Sequence, residues 1–235
     1  DFDVQIMNKL EFNQNKISLH TLKIEDKCGT TQDKLFELSP HQLFLKNFIS
    51  DKTPYKSLLL FHGVGTGKTC SGVTIAENFK DIYSRDSRKI IILSSKNIQI
   101  GWKNTIFNPS KGDNQCSGDT YSLVDETNPS STIVNGDKKA IKLIKTYYNL
   151  YGYLAFANYV KGLLEDVNKI PEDNYQERNL FEKQIIKKIF SNRVLIIDEV
   201  HNIRGEDTGE KMTRDTIIYI EKVIEYSDNL KLILL

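Results

Sequence analysis

The stretch LLLFHGVGTGKTCSGVTIAENF, residues 58–79, decides the fold class of this chain. It begins in a continuous apolar run of strand length, SLLLF (57–61), which predicts a strand buried on both faces. A glycine-rich segment follows, and beyond it apolar residues recur at helical spacing over 70–83. The stretch therefore predicts a buried strand, a loop and a helix in direct succession.

Further apolar runs have the length of strands, and amphipathic helical patterns separate them. Strands are predicted over KIIILSS (89–95), RVLIID (193–198) and LKLILL (230–235). Helices are predicted over 38–50, 138–148, 171–190 and 215–227, and residues 149–164 are expected to form a short strand that runs into a helix. This alternation predicts an α/β fold with a mainly parallel sheet flanked by helices. In such sheets ligands bind at the carboxyl ends of the strands.

Length and composition indicate one large soluble domain. The chain has 235 residues, of which 39% are hydrophobic and 27% charged. Its formal net charge is only +1, so any contact with nucleic acid must come from a local patch. No run of eighteen apolar residues occurs in the sequence, and no membrane span is expected.

The chain divides into a polar N-terminal part and the predicted α/β domain. We expect residues 1–33 to form an extension that packs on the domain, and 34–235 to form the domain itself. The segment 108–137 is rich in Gly, Pro, Asn, Ser and Asp, and predicts a loop-rich insertion. The chain begins at Asp1 with no signal peptide and no initiator Met, which suggests a piece of a longer protein.

The three cysteines show no metal-binding or redox spacing. They are Cys28, Cys70 and Cys116, none of which belongs to a CxxC pair. We expect three reduced thiols in an intracellular protein.

The loop that follows the first strand has the residue types that hold a polyphosphate. Its glycines permit positive φ and a close approach of backbone N–H groups. Lys68 can reach the β- and γ-phosphates, Thr69 can ligate Mg²⁺, and the helix directs its N-terminus at the phosphates. The pattern G-x-x-x-x-G-K-[ST] expects glycine where His62 stands, but the core G-x-G-K-T is intact. The predicted nucleotide-binding residues of the loop are Gly63, Val64, Gly65, Thr66, Gly67, Lys68 and Thr69.

An acidic pair follows the predicted strand RVLIID, in the stretch VLIIDEVH (194–201). Asp198 is predicted to hold Mg²⁺ with Thr69, directly or through water. Glu199 is placed to orient or deprotonate an attacking water. His201 is expected to couple the nucleotide site to a neighbouring site by hydrogen bonding. Lys68, Glu199 and His201 are therefore the predicted catalytic residues.

GVGTGKT and DEVH together resemble motifs I and II of the superfamily 2 helicases and translocases, in their DExH branch. The segment LSPHQ resembles the part of that superfamily in which a glutamine reads the adenine edge, which implies that Gln42 binds ATP. A carboxamide has the donor and the acceptor that adenine needs. The resemblance covers residues 38–235 and implies a RecA-like domain that uses ATP and Mg²⁺.

The same resemblance implies a contact surface for nucleic acid. LSSKNIQIGWK (93–103) is similar to motif Ia, which contacts the nucleic-acid backbone, and Lys96, Asn97 and Trp102 fall on the matching positions. For Trp102 a core aromatic at a helix end is the open alternative. The stretch YLAFANYV resembles the motif Ib region.

In this superfamily the γ-phosphate lies between two RecA-like domains, and arginines of the second domain stabilise the transition state. Neither motif III nor a second domain is found in this sequence. The resemblance therefore implies a second RecA-like domain in a parent protein. It also implies that the 235 residues alone bind Mg-ATP weakly and turn it over poorly.

Within this superfamily, the sequence resembles the helicases of one group of viruses. LLLFHGVGTGKTC, CSGDTY (116–121), DEVHNIR and an Asn-, Ile- and Lys-rich composition resemble helicases of large nucleocytoplasmic DNA viruses, of the poxvirus early transcription factor and nucleoside triphosphatase I type. This implies action in viral transcription, in the host cytoplasm or the virion, with a viral RNA polymerase or transcription factor subunit as a partner. Nucleic acid is the expected track, DNA ahead of RNA, although the residues themselves do not separate the two.

Other functions would use the same loop and acidic pair. A small-molecule phosphotransferase has no reason to carry PHQ or DEVH. A nucleotide-gated clamp or scaffolding module without motor activity stays open as an alternative, and so does the motor subunit of a restriction-type enzyme.

Overall fold

A computed structural model describes residues 4–5, 8–16, 37–63, 65–84, 88–111, 114–118, 141–142, 144–204 and 214–235. Within these residues the helices are α1 (Leu10–Asn13), α2 (Pro40–Phe48), α3 (Lys68–Ser84), α4 (Lys96–Ile106), α5 (Tyr153–Leu163), α6 (Tyr175–Phe190) and α7 (Arg214–Tyr226). The strands are β1 (Ser57–Leu59), β2 (Ile90–Leu93), β3 (Tyr148–Tyr151), β4 (Val194–Ile197) and β5 (Lys231–Leu234). Short 3₁₀ turns lie at Pro109–Lys111, Glu165–Lys169 and Val200–Arg204.

The described strands form one fully parallel sheet in the order β1-β5-β4-β2-β3. Parallel strands need crossover connections, and helices cover both faces of such a sheet. The predicted α/β fold with a mainly parallel sheet is therefore confirmed, and it has the arrangement of a RecA-like domain. All carboxyl ends lie at one edge, which brings the ends of β1 and β4 to the same side of the sheet.

Two apolar cores lie on opposite faces of the sheet. In β2, Ile90 and Ile92 point into the core that α3 and α4 cover, whereas Ile91 and Leu93 point into the core under α5, α6 and α7. All four side chains are buried, as expected for a central strand of a parallel sheet. Helices therefore cover both faces of this continuously apolar strand.

The first strand does not match the prediction that it is buried on both faces. Ser57 and Leu59 are exposed, and the exposed fraction of Leu59 is 60%. Among the described residues β1 pairs only with β5, so it stands at an edge of the sheet. Ser57 and Leu59 point to the same face of the sheet, and this face of β1 is left open in the described part of the chain.

The described part of the N-terminal segment packs on α2. The ring of Phe12 in α1 lies 5.4 Å from Phe44, 5.7 Å from Phe48 and 6.3 Å from Tyr55, measured between ring centroids. Aromatic pairs at these separations add to the stability of the apolar contact. Residues 1–3, 6–7 and 17–33 of the predicted extension lie outside the described residues. So do residues 112–113 and 119–137 of the predicted insertion.

No helix among the described residues has both the length and the apolar character that a bilayer crossing requires.

Candidate nucleotide site

The glycine-rich loop connects the end of β1 with the start of α3. The Leu60 N–H donates to the Leu234 carbonyl (2.8 Å) and keeps the chain beside β5 up to the loop. Gly65 has φ +81° and Gly67 has φ +83°, in the left-handed region that glycine adopts at little cost. The Thr66 hydroxyl donates to the Gly63 carbonyl (2.8 Å) and closes the turn. Val64, a predicted member of the loop, lies outside the described residues.

The loop leads directly into the first turn of α3. The helix begins at Lys68, and the Ser71 N–H donates to the Gly67 carbonyl (2.9 Å). Lys68 and Thr69 are partly exposed in this turn. The first N–H groups of a helix lack partners within the helix and attract anions. The structure therefore places a lysine, a hydroxyl and a helix N-terminus together after the loop.

Gln42 lies against the loop from the side of α2. Its side chain is 8% exposed, and its Oε1 accepts from the Ser39 N–H at 3.0 Å. This bond stabilises the start of α2, where Ser39 and Pro40 occupy the positions that the sequence predicts. A Cβ on Gly67 would come within 2.9 Å of the Gln42 Nε2 atom. An adenine could still use the second lone pair of Oε1.

The acidic pair stands at the carboxyl end of β4. The Asp198 N–H donates to the Leu93 carbonyl (2.9 Å), so this residue continues the pairing of β4 with β2. Glu199 then turns into the left-handed region with φ 53°. A non-glycine residue in that region is uncommon and is found where the surrounding structure holds it in place. The Glu199 side chain is 34% exposed.

The Asp198 carboxylate is buried, with only 5% of the residue exposed. Burial raises its pKa, and the neighbouring Glu199 charge raises it further. A hydrogen bond from Trp102 and the positive charge of Lys68 act in the opposite direction. Lys68 and Asp198 are 130 residues apart in sequence, and the fold places both on the side of the sheet where the strands end.

Trp102 contradicts the prediction that it contacts nucleic acid. Its side chain is 0% exposed, and its indole N–H donates to the Asp198 Oδ2 atom at 2.7 Å. The alternative, a core aromatic, is correct, because α4 presents this residue to the sheet and not to solvent. Lys96 and Asn97 are exposed at the start of the same helix. Their role in binding nucleic acid stays a prediction.

His201 and Glu199 are neighbours in space. The His201 Nδ1 atom lies 3.3 Å from the Glu199 Oε2 atom, and the histidine side chain is 71% exposed. The structure thus brings together two of the predicted catalytic residues, one directly before the 3₁₀ turn that follows β4 and one within it. The coupling role of His201 stays a prediction.

Sequence reasoning missed one residue of the site. The Tyr153 hydroxyl, at the first position of α5, donates to the Asp198 backbone carbonyl. Burial raises the Tyr153 pKa well above its usual range, and the charges of Asp198 and Glu199 raise it further. The hydroxyl therefore keeps its proton and remains a donor. One feature of the sequence could have pointed to Tyr153, namely its position in YLAFANYV, which resembles motif Ib.

The donor set fits Mg²⁺ bound together with a polyphosphate. Thr69 supplies a hydroxyl and Asp198 a carboxylate, and Mg²⁺ commonly takes one or two protein oxygens and completes its shell with water and phosphate. Over the described ranges there is no cluster of three or more His, Cys, Asp or Glu side chains that could form an all-protein cage. A nucleotide with its metal is the kind of ligand that these residues can hold.

The expectation of three reduced thiols is wrong for two of them. Cys70 and Cys116 form a disulfide, with their Cα atoms 5.4 Å apart. Cys70 directly follows Thr69, so the disulfide joins the first turn of α3 to the segment 114–118. The sequence separation of 46 residues gave no sign of this pairing, since only the fold brings the two residues together. Cys28 lies outside the described residues.

Comparison with known proteins identifies one family that matches this chain. The family model described as "Type III restriction enzyme, res subunit" matches residues 35–235. Two Acanthamoeba polyphaga mimivirus proteins that carry the provisional name ATP-dependent RNA helicase are 33% and 32% identical to the chain, over 90% and 97% of its length. The early transcription factor 70 kDa subunit of Melanoplus sanguinipes entomopoxvirus is 26% identical over 74% of the chain.

These relatives are much longer than the chain. The matched part is 18% and 35% of the two mimivirus proteins and 20% of the entomopoxvirus subunit. No solved structure matches the chain significantly.

Proposed function

The chain belongs to the helicase family of the type III restriction enzyme res subunit, and from this premise we propose that it is the ATP-binding half of a nucleic-acid-dependent ATPase, a helicase or translocase. One observation carries the proposal. The glycine loop after β1 and the acidic pair after β4 lie at the same carboxyl edge of one parallel sheet, with only β5 between the two strands. Nucleotides bind at this edge in open α/β sheets.

Each predicted residue has a role that its position supports. The N–H groups of the loop from Gly63 to Thr69 would cradle the phosphates, and Gln42 would hold the adenine. Lys68 would offset the charge that develops on the γ-phosphate. Mg²⁺, held by Thr69 and Asp198, would neutralise phosphate charge when bound.

Glu199 is the proposed group that orients or deprotonates the attacking water. It is partly exposed beside the buried Asp198, so the two carboxylates have different surroundings and different roles. The His201 Nδ1 atom lies 3.3 Å from Glu199. Through hydrogen bonds, His201 would couple the nucleotide site to a neighbouring domain. The exposed Lys96 and Asn97 at the start of α4 are the proposed contacts to nucleic acid.

A second RecA-like domain in a parent protein would complete the site. The relatives are long enough to contain it, since the matched region is between 18% and 35% of the two mimivirus proteins. Transfer of a phosphoryl group commonly needs an arginine from a second domain or partner. We therefore expect poor turnover from the 235 residues alone.

Viral transcription is the proposed setting. The relatives named above are viral, and one of them is an early transcription factor subunit. This supports action in the host cytoplasm or the virion beside a viral RNA polymerase or transcription factor subunit. DNA is the proposed track. Because the mimivirus relatives are named as RNA helicases, the test must include both polymers.

The test is ATP turnover by the intact parent protein, alone and with duplex DNA, single-stranded DNA or RNA. We expect one polymer to raise the rate several-fold, and Glu199→Gln supplies the blank because it keeps the fold but removes the base. If no polymer raises the rate, the motor proposal fails and a nucleotide-gated clamp takes its place. If Glu199→Gln turns over ATP normally, the assignment of Glu199 is wrong.

A further inference from the structure

The bond between Trp102 and Asp198 joins two buried side chains. The Nε1–Oδ2 distance is 2.7 Å, and the exposed fractions are 0% for Trp102 and 5% for Asp198. A hydrogen bond to a carboxylate in such surroundings is strong and directional. Indole donates one hydrogen and accepts none, so this bond can only hold the carboxylate as an acceptor.

The indole ring is itself held in place from two sides. A Cβ on Gly72 of α3 would lie 2.9 Å from the Trp102 Cη2 atom and 3.4 Å from the Leu235 Cδ1 atom. The ring therefore occupies the space beside the helix that begins at Lys68, next to the end of β5. Because no side chain stands at position 72, the ring packs directly against the backbone of this helix. Its N–H has a fixed direction.

Asp198 is also held through its backbone. Its N–H donates to the Leu93 carbonyl at 2.9 Å, and its carbonyl accepts from the Tyr153 hydroxyl. Backbone and side chain are thus fixed by different elements, namely β2, the start of α5, and α4. A metal ligand whose partners fix its orientation binds more tightly than one that can rotate.

We propose that Trp102 is a positioning residue for the metal site, which rests on the proposed function: its indole N–H holds Oδ2 of Asp198 so that the carboxylate presents its other oxygen to the Mg²⁺ of the bound nucleotide. Trp102 contacts neither nucleotide nor nucleic acid. It acts only through Asp198, and its removal weakens the binding of the metal more than the binding of the nucleotide.

The test compares the affinity for ADP with Mg²⁺ and in EDTA, measured by calorimetry on the full chain. For Trp102→Phe, which keeps an aromatic ring and removes the donor, the affinity for Mg²⁺-ADP falls roughly tenfold to a hundredfold, the usual effect of losing such a partner. The affinity for ADP in EDTA stays the same. Ile106→Val, a change at a fully buried side chain one turn after Trp102 in the same helix, leaves both affinities unchanged.

A second measurement does not depend on the folding of the Trp102→Phe variant. Trp102 is the only tryptophan of these 235 residues, so its fluorescence reports this one contact. Adding Mg²⁺ to the wild-type chain with ADP changes the emission, because a cation arrives at the carboxylate to which the indole is bonded. In Asp198→Asn, which lacks the metal-binding charge, this change is lost.

The outcomes separate the two proposals. If the wild-type chain binds neither ADP nor ATP, the proposed function fails and this inference fails with it. If Mg²⁺-ADP binds normally to Trp102→Phe, or binds to wild type without changing the emission of Trp102, only the positioning role is overturned.

Discussion

The side-chain amide of Gln42 occupies the space that a side chain on Gly67 would need: a Cβ at position 67 would lie 2.9 Å from the Gln42 Nε2 atom. Gly67 also has φ +83°. The backbone conformation of this residue therefore favours glycine, and a side chain there would displace the Gln42 amide.

We predict that Gly67→Ala destabilises the chain by about 2 kcal/mol or more, from left-handed strain and the steric conflict with Gln42 together. The variant also loses nucleotide binding, because the loop can no longer keep its conformation. Urea unfolding measures the free energy of unfolding, and calorimetry measures the binding of ADP.

Gly118→Ala is the matched control for Gly67→Ala. Gly118 has φ +71°, and among the described residues, its chain neighbours aside, no atom lies within 4 Å of a Cβ built there. This change should cost only the backbone strain, about 1 kcal/mol, and leave nucleotide binding intact. In the Gln42→Ala background the cost of Gly67→Ala should fall toward the same value. An unchanged cost in that background would remove Gln42 as the cause.

The left-handed conformation of Glu199 gives a second prediction. Asn192 and Asn229 have nearly the same φ as Glu199, 53° and 50° against 53°, and asparagine tolerates this region better than other residues with a side chain. We expect Glu199→Asn to be more stable than Glu199→Gln by about 0.5–1 kcal/mol, while neither variant turns over ATP.

Both substitutions at Glu199 remove the same charge, so the comparison isolates the backbone. Thermal and urea unfolding of the two purified variants measure the difference in the free energy of unfolding. Equal stability, or a more stable Gln variant, would show that the turn after Asp198 holds no strain.

A nearly buried ion pair lies within α3, and a tyrosine of β3 donates to its acidic member. The Lys80 Nζ atom lies 3.0 Å from the Glu77 Oε2 atom, and both side chains are about one-tenth exposed or less. The Tyr148 hydroxyl donates to the other oxygen of Glu77. We predict that Glu77→Gln costs about 3 kcal/mol, because the charge of Glu77 no longer offsets that of Lys80 in a place from which water is largely excluded.

The exposed pair Lys169–Asp166 is the control for this prediction. Its atoms are closer, at 2.6 Å, but the side chains are 80% and 68% exposed. Asp166→Asn should change the free energy of unfolding by less than about 1 kcal/mol. The double change Glu77→Met with Lys80→Met should recover most of the loss caused by Glu77→Gln. Similar costs at Glu77 and Asp166 would mean that burial does not determine the strength of the pair.

The disulfide gives a prediction that mass spectrometry can check. Peptide mapping without reductant should show Cys70 joined to Cys116, and Cys116→Ser should lower the free energy of unfolding by roughly 2–4 kcal/mol. Adding dithiothreitol should lower the melting temperature of the wild type toward that of Cys116→Ser. Cys28→Ser, which leaves this pair intact, should keep the full response to reductant. Free thiols at Cys70 and Cys116 in the protein purified without reductant would contradict the pairing.

The sequence predicted most of the sheet, because each strand has a local signature. The apolar runs at 89–95 and 193–198 became β2 and β4, which are buried on both faces as such runs require. The run at 57–61 has the same signature but became an edge strand. Apolar composition indicates a strand, whereas the number of its neighbours depends on the order of strands in the sheet.

Trp102 shows the same limit for the site. Its position in a motif that resembles motif Ia predicted a contact with nucleic acid, and the alternative was a core aromatic. The structure turns its side chain inward and joins it to a carboxylate 96 residues away. The spacing along a helix tells which residues share a face, but not what that face meets.

The sequence by itself determined the succession of strand, loop and helix, the residue types at the phosphate loop and the acidic pair at the end of β4, since these follow from composition and spacing over short stretches. The tertiary structure alone decided that Trp102 and Tyr153 hold Asp198, that Gln42 lies against Gly67, and that Cys70 meets Cys116. These contacts join residues far apart in the chain. They depend on the order of the strands and the packing of helices on the sheet, which no short stretch of sequence contains.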